Sequence, residues 1–114
     1  MTRLRITALA RNDIADALQR SRDDAGGWAS ERYHRLFGRA LQDLQDDPAR
    51  DGVRAVDEIR TGYSVYHLQS SSEAARGRPV RRPRHLLAFY IDDADDVIVA
   101  RVFHERSMVT EKLD

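Results

Sequence analysis

The hydrophobic pattern predicts an α+β domain in the order β-α-α-β-β-β, an N-terminal helical hairpin packed on a small, mostly antiparallel sheet. Three observations carry this. Residues 3–9 alternate with a period of two, residues 14–44 follow a helical period broken by two glycines, and the second half holds three β-rich runs. With 114 residues the chain makes one domain, 1–114, large enough for a single core.

Each element has its own local reason. Leu4, Ile6 and Ala8 alternate with Arg3, Arg5 and Thr7, the period of a half-buried strand over 3–9. Asn12 reads as the cap of a first helix, whose Ile14, Ala17, Leu18 and Ser21 recur at three- and four-residue steps until Gly26 and Gly27. A second helix starts near Trp28 or Ser30. Its stripe is Tyr33, Phe37, Ala40, Leu41 and Leu44, and Asp46, Asp47 and Pro48 close it. Tyr33, Phe37 and Phe89 read as core, and Trp28 as a staple from the second helix to the sheet. Residues 63–68, 85–91 and 97–103 read as strands, the last two joined as a hairpin by the polar stretch 92–96. The interval 69–84, with three serines, Gly77, Pro79 and Pro83, has loop composition, and 107–114 is a polar tail.

Composition excludes several classes of function. The 19 basic residues balance 19 acidic ones, with 41% hydrophobic and 33% charged, a folded rather than a disordered profile. The absence of cysteine removes disulfides, thiolate metal sites and a cysteine nucleophile. His34, His67, His85 and His104 have no zinc spacing, so no metal and no cofactor is expected. No stretch reaches the length of a membrane span, and the expected location is the cytoplasm. Charge is nevertheless segregated. Arg76, Arg78, Arg81, Arg82 and Arg84 precede the acids Asp92, Asp93, Asp95 and Asp96.

The element order carries a family likeness. So do Ile59-Arg60-Thr61-Gly62-Tyr63 entering the first meander strand, Phe89-Tyr90 in the second and Arg101-Val102-Phe103-His104-Glu105-Arg106 ending the third. Over nearly its whole length the chain resembles the ParE branch of the RelE/ParE toxins. The resemblance implies the toxin of a type II toxin–antitoxin pair, silenced by a cognate antitoxin. For the ParE branch it implies DNA gyrase as target, and for the RelE branch cleavage of messenger RNA on the ribosome. The chain departs from the family pattern in the long arginine-rich interval 69–84, where relatives have a short turn.

Two chemistries are then weighed on the same residues. A metal-free ribonuclease needs a base for the ribose 2′-hydroxyl, an acid for the leaving oxygen and cations for the phosphate, and His104, Glu105, Arg101, Arg106 and Tyr90 are of those types. Strand alternation sets Arg101 and His104 on opposite faces, while Arg106 shares a face with His104 if the strand continues. Against cleavage, 63–68 carries no lysine or arginine to grip RNA. A gyrase-binding toxin needs no catalytic set, and an inactive toxin-fold interaction module is the third reading. The residues assigned to target contact are Arg60, Tyr90, Arg101, His104, Glu105 and Arg106. Arg76, Arg78, Arg81, Arg82 and Arg84 read as a solvated loop tip, a dock for an acidic antitoxin segment or a grip on phosphates.

Overall fold

The computed structural model describes residues 3–72 and 83–107. Among them the order is β1 (Leu4–Ile6), α1 (Ala8–Asp46), β2 (Val53–Ala55), β3 (Tyr63–His67), α2 (Gln69–Ser72), β4 (His85–Ile91) and β5 (Val97–His104). The five strands form one sheet in the order β1-β5-β4-β3-β2. β2 through β5 pair antiparallel with their neighbours, and β1 lies parallel to β5 with Leu4 opposite Val97. This is the predicted α+β architecture with two added elements.

The first strand is shorter than the predicted 3–9. Thr7 ends it, because its amide still bonds Val99 O at 3.1 Å while its hydroxyl accepts from Ala10 N at 3.1 Å and caps the helix. Thr7, not Asn12, is therefore the cap, and Asn12 lies inside the helix. The hairpin forms within α1. Gly26, at φ 87° and ψ 176°, breaks the helix into two limbs with a conformation that only glycine adopts easily. The Ser30 hydroxyl donates to Leu18 O at 3.0 Å, whereas twelve residues of straight helix would separate them by about 18 Å. Trp28 sits at this elbow 76% exposed and does not staple the helix to the sheet. No helix among the described residues is long and apolar enough to cross a membrane.

Two elements escape sequence reading. β2 has three residues, too few to show alternation, and depends on pairing with β3 from Val53↔Tyr66 to Ala55↔Ser64. α2 occupies the start of the predicted loop and is held by buried polar bonds. Ser71 donates to Asp43 Oδ2 at 2.6 Å, leaving the Tyr66 hydroxyl to donate to Ser71 Oγ at 2.7 Å.

The core lies between the hairpin and one sheet face. Tyr33, Leu36, Phe37, Ala40 and Leu44 pack there against Leu87, Phe89, Val97, Val99 and Val102. A smaller core of Val56, Val65, Ala88 and Phe103 covers the opposite face, with Ile59, Tyr63 and Leu86 against it. A β-bulge in β5 sets which of its residues join each core. Ala88 pairs Arg101 but Phe89 pairs Val99, so Ala100 is extra. The Thr7 hydroxyl donates to the carbonyl of that extra residue at 2.7 Å. Past the bulge the phase reverses, so Val102 joins Val97 and Val99 on the hairpin side and Phe103 turns to the other.

Candidate functional site

The ends of β3, β4 and β5 gather three of the four histidines. β4 begins at His85, which pairs with His104, the last residue of β5, and the rings meet edge to face with centroids 5.4 Å apart. His67 ends β3 opposite Leu86. Tyr33 on the second helical limb closes the group. Its hydroxyl accepts from Arg84 N at 3.0 Å, which leaves its proton for His85 Nδ1 at 2.6 Å.

All three imidazoles accept at Nδ1. Gln69 N donates to His67 Nδ1 at 3.0 Å and Arg106 N to His104 Nδ1 at 3.1 Å. This bonding assigns the neutral tautomer with its proton on Nε2 to each ring. For His67 that proton goes to Glu105 Oε2 at 3.0 Å, and Arg84 Nη1 holds Glu105 Oε1 at 3.1 Å. The bond from His67 keeps Glu105 below the usual carboxylate range. Burial, helped by the positive charge of Arg20, pushes His85 down to about 4. Burial likewise raises Tyr33. Among the described residues no three or more histidines, cysteines, aspartates or glutamates are placed to hold a metal ion.

The six residues assigned to target contact divide into separate groups. Arg101 is taken by the first helical limb, with Nε bonding Asp13 Oδ2 at 2.8 Å and Nη2 bonding Asp13 Oδ1 at 3.0 Å. The same carboxylate accepts from Val102 N at 2.9 Å, capping β5 where β1 has ended. The Asp13 bonds raise Arg101 above its ordinary value. By register Arg101 and His104 belong to opposite faces, as alternation requires. The strand stops at His104, so Arg106 falls in the following turn and does not share a strand face with it.

Tyr90 and Arg60 belong elsewhere. Phe89 is buried in the hairpin-side core, so Tyr90 faces the other way, its ring 5.1 Å from that of Tyr63. Arg60 lies over the Tyr63 ring at 5.2 Å. Of the arginines assigned to antitoxin contact, Arg84 is ion-paired to Glu105, while Arg76, Arg78, Arg81 and Arg82 lie outside the described residues.

Sequence reading missed Asp13, Arg20, His67 and His85, and saw in Tyr33 only a core aromatic. A usable signal existed for His85, the one titratable residue opening an otherwise apolar or aromatic strand. Asp13 gave none, since its partner is 88 residues away.

Comparison with known proteins agrees with this fold. No curated protein matches the chain. Among solved structures, the RelBE2 toxin–antitoxin complex from Mycobacterium tuberculosis shares its fold, at 21% identity and TM-score 0.55 over 90% of this chain and 96% of that one. The family of the ParE toxin of the type II toxin–antitoxin system parDE matches residues 4–109. Because that match runs from the edge strand β1 past the end of β5, with the helical hairpin and meander between, the chain belongs to the ParE toxin family.

Proposed function

We propose that this type II toxin acts in the cytoplasm by binding and poisoning DNA gyrase, and that a cognate antitoxin encoded beside it neutralises it. The observation that carries the choice of binding over cleavage is the dispersal of the groups a ribonuclease would need. Arg101 is consumed by Asp13, Glu105 is held by Arg84 and His67, and Tyr90 belongs to the opposite face. His104 presents Nε2–H, a donor, because Arg106 N occupies its other nitrogen. A general base needs a free lone pair within reach of its proton. What remains exposed is a surface of fixed donors, suited to gripping a protein.

The test is purified toxin with gyrase, ATP and plasmid DNA over a concentration series. The expected result is loss of supercoiling together with protein-linked linear DNA, both abolished by the antitoxin. Growth arrest without any effect on gyrase, accompanied by cleavage of translated message, would replace this reading with the ribonuclease. Absence of arrest would leave an interaction module.

A further inference from the structure

Glu105 shows how this end of the sheet holds an acid. One imidazole Nε2–H, from His67, takes one carboxylate oxygen, and one guanidinium, from Arg84, takes the other. A second set of the same donors lies beside it without an acid. His104 has its Nε2–H uncommitted among the described residues, and Arg106 follows two residues later with no ion pair there.

Arg20 is the third member, brought by the first helical limb. Thr7 meets β5 at Ala100 and Asp13 meets it at Val102, so the limb runs along the strand toward its end. Arg20 is seven residues beyond Asp13, two turns along the same stripe, or about 10 Å. At about 3.3 Å per strand residue that distance carries it from Val102 to the end of β5. The electrostatics agree, since the positive charge of Arg20 acts on His85. Arg20 is exposed and has no ion pair among the described residues. Of Arg20, Arg84 and Arg106, only Arg84 has an ion pair among the described residues, with Glu105.

We infer that Arg20, His104 Nε2–H and Arg106 form a binding site for a carboxylate side chain of the antitoxin, a second copy of the arrangement that holds Glu105. A compact donor group suits one acidic side chain, for which guanidinium forks are shaped. A nucleic-acid strand instead needs cations spaced along its backbone, and β3 offers no lysine or arginine. This inference rests on the antitoxin being the partner proposed above.

The test uses the full chain and the antitoxin from the adjacent gene, with affinity measured over a salt series for wild type, Arg20→Gln, Arg106→Gln and the control Arg35→Gln. Thermal melts verify folding. Arg20→Gln and Arg106→Gln are each expected to weaken binding by about tenfold and flatten its salt dependence, as loss of a charge-assisted bond does, while Arg35→Gln does neither. An antitoxin Glu→Arg or Asp→Arg change that restores binding to Arg20→Glu would identify the acid. Wild-type binding by both Arg20→Gln and Arg106→Gln overturns the site and leaves the partner standing. Equal loss in Arg35→Gln, or loss of RNA cross-linking with antitoxin affinity intact, also overturns it. A wild-type toxin that does not bind the antitoxin overturns the partner assignment and the site with it.

Discussion

Asp13 is a single carboxylate that accepts three hydrogen bonds, two from the Arg101 guanidinium and one from a strand amide. It fixes the first limb to β5 and withdraws Arg101 from any outside ligand. Asp13→Asn keeps the shape but loses the ionic pairing, and the cost expected by urea denaturation is about 2 kcal/mol for this partly exposed pair. His85 is a different case, a ring that accepts a hydrogen bond from Tyr33 and is kept neutral chiefly by burial. Its folded value of about 4 lies below the 6.5 of a free histidine. The unfolded chain therefore binds the extra proton first. The contribution of His85 is complete above about pH 6.5 and is lost as pH falls toward 4. With the ring partly exposed, that loss is expected to be about 2 kcal/mol. His85→Gln should remove roughly one proton from the pH slope of stability in this window, measured by urea titrations at successive pH values. None of these bonds was legible in the sequence, because each joins residues remote along the chain.

Elements were more legible than contacts. β4 runs from His85 to Ile91 as its apolar run indicated, and the turn after it is built by Asp92, whose Oδ1 accepts from Ala94 N and Asp96 N at 3.0 and 2.9 Å. Helical spacing likewise found both limbs of the hairpin. At Gly26 an added Cβ would meet nothing within 4 Å, so Gly26→Ala has only a backbone cost, expected at about 1–2 kcal/mol in a thermal or urea melt. What alternation could not find is the bulge. Val97, Val99, Arg101 and Phe103 alternate in sequence, but the extra Ala100 exchanges the faces of the last two and brings His104 to His85. Deleting Ala100 should therefore close the bulge, set Arg101 directly after Val99 in the same register, and leave Arg101 and Phe103 on the faces they now occupy. The expected readout is a cooperative unfolding transition that survives the deletion, since the members of both cores keep their sides.

For the molecule as a whole, one sheet between two cores positions everything described above. The single tryptophan stands outside both. Trp28→Ala should change stability by less than about 0.5 kcal/mol, and wild-type fluorescence should shift little on unfolding, because the indole is 76% exposed in the native state. The family and its α+β architecture were legible from the order of elements, since hydrophobic period survives in a sequence. Polar geometry at the strand ends was not, because it depends on three strands and a helix converging. The pairing of Leu4 with Val97 and of Ile6 with Val99 has a consequence during synthesis. The first strand leaves the ribosome ahead of its neighbour among the described residues, β5, whose paired positions follow 93 residues later. A nascent chain therefore cannot close its sheet, seat Asp13 on Arg101 or set His104 beside His85 until elongation has passed β5. The fold is thereby completed late, which leaves time for a cognate antitoxin to be waiting when it closes.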